Sequence, residues 1–276
     1  MADPPANNEA VVDQMIQVWI SLVDACERVR ADQWDQPTDC PGWSVKDNLS
    51  HLIGIERLLL GDPPPPPLEE FPDHVVNAFG ELNEAWVAAR RPLEGQKVLD
   101  EFVEVTNRRF EALRSMPASK FDEIGWSPVG EVPYREFMET RILDSWAHEQ
   151  DIRRALGRPG GRNGVGEAMT LDRCARTMPF VVGKRVAPPD GTSVLFSVVG
   201  VMGRKLHVRM HDGRAEVAPL GPAEEPSVTL SMDQEAFWRL GFGRVEPTRV
   251  VATGQVRIEG DIAIGHRVLD SMAFMI

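Results

Sequence analysis

With 276 residues, 42% hydrophobic and 26% charged, the chain has material for two folded cores of ordinary globular composition. Its net charge of −12 is concentrated in residues 1–160, where 29 acidic side chains face 16 basic ones, whereas residues 161–276 nearly balance at 13 against 14. A nucleic-acid binder needs a basic face, so this distribution argues against that class and predicts a solvated acidic surface.

The opening residues MADPPANNEA have neither a basic stretch nor an apolar core, which excludes a secretory signal. No apolar run is long enough to span a bilayer. Cys26, Cys40 and Cys174 show no CxxC spacing, which fits a reducing compartment. Together these features predict a cytoplasmic protein with no membrane association.

A first amphipathic helix is predicted from Val11 to about Val29, with Val12, Met15, Trp19, Leu22 and Cys26 on one face. A turn, CPGW, leads to Ser44, a good N-cap with Asp47 three residues on where a capping box usually has Glu or Gln. The second helix should run from Val45 to about Leu60. Pro63–Pro67 cannot join a helix and read as a stiff polyproline spacer, with docking to an SH3-like partner as the weaker alternative. A third helical region extends from about Val75 to Met116 with an interruption at Pro92, and FDEIGWSPVGEVP reads as a loop. A fourth helix, Tyr134 to Leu156, starts after Pro133 and is stopped by Gly157 and Pro159. Four helices joined by loops suggest a bundle, residues 1–158.

The glycine-rich segment 157–166 marks a boundary, and residues 167–276 form the second domain. After a helix over about Glu167–Val182, short alternating runs (TSVLFSVVG, RKLHVRMHDG, RAEVAPLG, PSVTLSM) read as strands. DQEAFWRLGFG reads as a helix, RVVATGQVRIEGD as two short strands, and IAIGHRVLDSMAFM as a final helix. The expected fold is therefore two-domain α+β: an N-terminal four-helix bundle and a C-terminal α+β domain with an antiparallel sheet.

The chemistry-bearing pattern lies on the second and fourth helices. Arg141, Asp144, His148 and Asp151 fall on one stripe, and Asp144 and His148 are four apart, the separation that lets two side chains on a helix grip one ion. Asp47, Asn48 and His51 share a face of the second helix, and a bundle can bring the two faces together. Two histidines and a carboxylate suit a divalent metal with an open position, and Asp151 could orient an imidazole from behind. On spacing alone, hydrogen-bonded or surface histidines remain the commoner outcome. Cys26 and Cys174 read as packed thiols, whereas Cys40 lies near the bundle mouth. His207, His211 and His266 share no ligand spacing.

CPGWSVKDNLSHL followed by LDSWAHEQDIRRALGRP resembles the DinB-like bundle of the mycothiol-dependent maleylpyruvate isomerase family, typical of actinobacteria, over roughly residues 10–158. MHDGRAEVAPLGPAEEPSVTLSMDQEAFWRLGFG and GQVRIEGDIAIGHRVLDSM look like that family's sterol-carrier-like C-terminal domain. The resemblance implies a divalent ion such as Zn2+ held by His51, Asp144 and His148. The family's characterised isomerase has glutamate where this chain has Asp144. It implies mycothiol as thiol cosubstrate, a small electrophile as substrate, and isomerisation or S-transfer as the reaction. Arg141 would serve catalysis by binding a carboxylate or the cofactor's polar end, or else pair with Asp144 or Glu139; Trp43 and Trp146 would wall the cofactor pocket, or else belong to the core. A monomer or homodimer is expected. The competing expectation is a non-catalytic, metal-stabilised protein that holds a lipid or other apolar small molecule.

Overall fold

The computed structural model describes residues 9–127, 130–221 and 224–275. The signal-peptide question falls on residues 1–8 and lies outside them. No helix among the described residues is long and apolar enough to cross a membrane. The chain divides into two compact units, residues 1–167 and 168–276.

In the first unit, α1 (Ala10–Cys26), α2 (Val45–Leu59), α4 (Gly95–Ser115) and α5 (Tyr134–Ala155) form the bundle. Helices α1 and α5 pack together, as do α2 and α4, and each of α1 and α2 also touches the other pair's partner. The spacing read on α1 is its buried face: Val12, Met15, Trp19, Leu22 and Cys26 are all inside. The third helical region is two helices, α3 (Ala78–Ala88) and α4, separated at residues 89–94 around Pro92. Proline's missing N–H and its clash with the preceding turn account for the break. Gly54 lets α3 sit close on α2, since a Cβ there would lie 2.4 Å from Trp86 Cγ.

One departure from expectation occurs here. The segment read as a loop contains a hairpin, β1 (Ile124–Ser127) paired antiparallel with β2 (Gly130–Pro133). Its strands are short and mostly exposed, so no inward alternation marks them. The polyproline run is extended, and Pro63–Pro65 line a cleft with Arg57, Trp86 and Arg90.

The second unit opens with α6 (Val165–Phe180), whose first turn holds the boundary, and a π-helical turn over Val181–Val186. Its five strands are β3 (Ser193–Val199), β4 (Arg204–His211), β5 (Arg214–Val217), β6 (Val228–Asp233) and β7 (Val256–Gly260), ordered β5-β4-β3-β6-β7. All neighbours are antiparallel except β3 and β6, which run parallel, so the sheet is antiparallel-rich rather than wholly antiparallel. Alternate residues Val194, Phe196, Val198, Val228, Leu230 and Met232 are buried on one face, and Phe237 of α7 (Gln234–Gly241) meets Phe196 with ring centroids 6.2 Å apart. The stretch PTRVVA, part of which reads as a strand, is instead α8 (Pro247–Ala252), started by proline at its first turn; α9 (Ile262–Asp270) ends the fold.

Candidate metal centre

The site begins with the turn before α2. Thr38 Oγ1 donates to Trp43 O (2.8 Å) and accepts from Cys40 N (3.2 Å), closing the loop. Gly42, at φ +77°, is required there twice over: the left-handed conformation suits glycine, and a Cβ would lie 2.2 Å from the His74 ring. Ser44 Oγ accepts from Asp47 N (3.2 Å) and Asp47 Oδ2 accepts from Ser44 N (3.1 Å), so the box closes with aspartate. Asp47 is thus spent on capping and on Arg91 (3.3 Å).

Two turns into α2, His51 faces α5. Its Nε2 lies 3.3 Å from Asp144 Oδ2, and His148 Nε2 lies 3.6 Å from Asp144 Oδ1. One donor atom from each of the three residues lies within 4.8 Å of the others. Two ligands on a tetrahedral Zn2+ at about 2.0–2.1 Å stand roughly 3.4 Å apart, and each histidine lies close to that separation from one of the two Asp144 oxygens. His51 Nδ1 is buried with no hydrogen-bond partner, which leaves Nε2 as the ring's polar contact. The residues present therefore fit a divalent cation.

Electrostatics favour the ligand forms of His51 and Asp144, whereas His148 is drawn toward its protonated form by the carboxylates around it. Burial, working against the attraction of Asp144, pushes His51 down to about 4, so its imidazole is neutral at physiological pH. Burial would raise Asp144, but the Arg141 guanidinium and then His51 outweigh it and hold the carboxyl well below the usual carboxylate range. His148 is raised: burial lowers it, and Asp144 and Asp151 more than compensate. Its Nδ1–H donates to Asn48 Oδ1 (2.6 Å) with Asp151 Oδ2 at 3.4 Å. Asn48 is itself fixed, with Nδ2 donating to Thr38 Oγ1 (3.0 Å) and Ser44 O (2.8 Å). That arrangement keeps the proton on Nδ1 and leaves Nε2 as the lone-pair nitrogen facing Asp144.

Arg141 is 5% exposed and fully engaged. Nη1 donates to Asp144 Oδ2 (2.7 Å), and Nε and Nη2 donate to Glu56 Oε1 (3.0 and 2.8 Å). It pairs with Asp144, then, and with Glu56 rather than Glu139. Glu56 Oε2 accepts from Arg109 Nε (3.1 Å), and Arg109 in turn contacts the Tyr134 hydroxyl. The result is a buried, charge-balanced row across α2, α4 and α5 that ends on Asp144. Glu56 and Arg109 were silent in the sequence, where each reads as a solvated helix charge.

Trp43 walls the histidines, its ring centroid 4.9 Å from His51 and 5.6 Å from His148. Its Nε1 donates to the fully buried Glu84 (3.0 Å), which also accepts from His74 (3.2 Å). Trp146 is not brought to the site, a correction of the expectation. Two residues from both Asp144 and His148 is about 200° around a helix. Its indole instead donates to Gly161 O (2.6 Å) and fills space that a Cβ on Gly166 would enter. Of the C-terminal histidines, His207 is buried beside Ala218 O and His211 is exposed; none joins a ligand cluster among the described residues.

The fold and site define a two-unit α+β protein whose helical bundle carries a cluster of two buried histidines and a partly exposed carboxylate. The chain belongs to the mycothiol maleylpyruvate isomerase family: residues 16–153, half of it, match the mycothiol maleylpyruvate isomerase N-terminal domain, and residues 181–270 match the SCP-2 sterol transfer family. Curated relatives include the uncharacterized proteins Rv0036c and MT0041 of Mycobacterium tuberculosis (strains ATCC 25618 / H37Rv and CDC 1551 / Oshkosh), each 28% identical over 167 residues. That match spans 58% of this chain and 62% of the relatives' length. Among solved structures, the mycothiol-dependent maleylpyruvate isomerase superposes with TM-score 0.56 at 15% identity, covering 91% of this chain and 92% of that one. A mutant of that isomerase gives TM-score 0.55 at the same identity and coverage. What is shared at that identity is the fold.

Proposed function

We propose that the protein is a metal-dependent enzyme that uses a low-molecular-weight thiol, mycothiol by family membership, to isomerise or S-conjugate a small electrophile. The observation that carries this reading is the set of His51, Asp144 and His148, two buried imidazoles flanking a partly exposed carboxylate with one donor atom from each within 4.8 Å of the others. A divalent cation held there would lower the pKa of a bound thiol and fix its sulfur.

The chain's own residues prepare that event. His51 offers its lone pair without first losing a proton. Asn48 holds the proton of His148 on Nδ1. Arg141 keeps Asp144 ionised and turned toward the histidines, which makes it a positioning residue. Trp43, tethered to Glu84, shields the imidazoles from water and presents an aromatic face to whatever enters. A thiolate delivered beside that face adds to a conjugated double bond. Rotation and elimination return the thiol and give the geometric isomer, whereas retention of the carbon–sulfur bond gives the S-conjugate.

Metal analysis of the purified protein is the first test. The expected result is one divalent ion per chain, lost in His51→Ala and His148→Ala, with turnover of electrophiles that requires mycothiol. Absence of metal, or content unchanged in both variants, overturns the reading.

A second reading is favoured by one feature of the C-terminal unit. Pro179, Phe180, Gly183, Lys184, Arg214 and Ala215 line a pocket of about 370 Å³ in the region that matches the SCP-2 sterol transfer family. A non-catalytic carrier of an apolar small molecule would use that pocket, with the bundle as a metal-stabilised scaffold. Organic extraction and mass spectrometry decide: a stoichiometric lipid without thiol-dependent turnover supports the carrier.

A further inference from the structure

A second group of donors backs onto His148 from the other side of its ring. One ligand atom each from Cys40, His148 and Asp151 lies within 4.8 Å of the others, and all three residues are buried. The histidine atom facing this group is Nδ1, 3.4 Å from Asp151 Oδ2 and 2.6 Å from Asn48 Oδ1. Asn48 is locked by its two donated hydrogen bonds, so its carbonyl oxygen stays aimed at the same point. No disulfide involves Cys40, and the Thr38–Trp43 turn fixes its backbone.

The two donor sets differ in kind. His51, Asp144 and His148 Nε2 offer two imidazoles and a carboxylate. Cys40, Asp151, Asn48 and His148 Nδ1 include a thiol, which selects soft, thiophilic ions such as Cd2+ and Cu+. We propose that Cys40, His148 and Asp151 form a second, thiophilic cation site that competes with the first set for His148. The competition follows from the ring's valence. A neutral imidazole has one lone-pair nitrogen, so it can bind a cation through Nδ1 or Nε2 and must carry its proton on the other. A cation at Nδ1 moves that proton to Nε2, which then faces Asp144 as a donor and is no longer a ligand. The Cys40 thiol gives its proton to solvent as the sulfur–metal bond forms. Occupancy of the second site would thus empty the first and stop thiol-dependent turnover. The site itself stands on its own geometry; only the competition rests on the metal reading proposed above.

The test is titration of the full-length protein with cadmium chloride, following the ultraviolet thiolate-to-cadmium charge-transfer band. A metallochromic dye reads any zinc released. The expected result is one band saturating at one cadmium per chain, present in His51→Ala and abolished in Cys40→Ser and Cys40→Ala variants that melt like the parent. Protein that arrives with zinc should release it as the band grows. No band, or a band of equal size in the Cys40 variants, overturns the site. Cys26 and Cys174 would be its source in the second case, although burial pushes the Cys26 thiol up to about 12 and raises that of Cys174 still further. A Cys40-dependent band with zinc fully retained overturns the competition. A Cys40-dependent band in a protein that never binds zinc at His51 supports the second site and overturns the first.

Discussion

Replacing Glu56 by Gln tests the row of charges behind Asp144. Glu56 is 1% exposed and accepts three guanidinium N–H groups, one from Arg109 and two from Arg141. Gln keeps the shape and one acceptor oxygen, but it turns the other position into a donor that meets Arg109 or Arg141 donor to donor. Two buried guanidinium groups would then have one carboxylate, Asp144, between them. Breaking a buried ion pair from one side costs about 3–5 kcal/mol. The first unit holds residues 1–167, and at about 2–4 °C per kcal/mol for a domain of this size the melting point should fall by about 10 °C. The second effect is on metal. Arg141, no longer held by Glu56, stops fixing the Asp144 carboxylate, and loss of such an outer partner typically costs about 10–100-fold in metal affinity. Thermal unfolding by circular dichroism reads the first effect, and competition against a zinc-chelating dye reads the second. A melting point within about 2 °C of the parent, or a lower melting point with unchanged zinc affinity, would refute the role assigned to this row: the first because the pairs would be worth nothing, the second because Glu56 would be structural only.

The same reasoning fixes other outcomes. Asn48→Ala removes the acceptor that holds the His148 proton on Nδ1 and should weaken zinc binding about 10–100-fold, while Asn48→Asp, which keeps an acceptor, restores most of it. Gly54→Ala should destabilise by about 1–3 kcal/mol in denaturant unfolding, because the clash with Trp86 outweighs the roughly 1 kcal/mol that alanine gains over glycine in a helix. Glu101 supplies a pH dependence. Burial raises its carboxyl, but hydrogen bonds from Arg90 and Arg57 outweigh this and lower it below the ordinary value. An acid lowered in the folded state stabilises fully above its unfolded value of about 4.3 and loses that contribution as pH falls through the folded one. Glu101→Gln should therefore be less stable than the parent at neutral pH, with the gap closing below about pH 4; a gap independent of pH contradicts the assignment.

What the sequence revealed, and what it hid, divides by range. The bundle helices follow from local spacing, because a helix that buries one face must repeat apolar residues every three or four positions, as Val12, Met15, Trp19 and Leu22 do. The reciprocal Ser44–Asp47 cap is equally local and sets where α2 begins, hence which face His51 presents. The hairpin over residues 124–133 was illegible because Ile124 and Trp126 point to solvent and leave no alternation. The β-branched pair Val250–Val251 disguised α8, although Pro247 is a helix-start signal. The parallel pairing of β3 with β6 joins segments more than thirty residues apart in the chain, and no local pattern encodes that register.

The centre itself shows the same division within a few residues. His51, Asp144 and His148 can be chosen from spacing and resemblance, whereas of the two places open to Trp146, pocket wall or core, the helical repeat turns it to the core. Glu56 lies five residues beyond His51 and looks like any exposed glutamate in an amphipathic helix. Only three-dimensional packing shows that it is sealed between two arginines from α4 and α5. Arg141 holds Asp144, Glu56 holds Arg141, and Arg109 closes the row, so the carboxylate is pinned by charges drawn from three helices. The candidate ligands can be read from motifs, whereas the groups that fix their protons and angles come from elements that only the fold brings together.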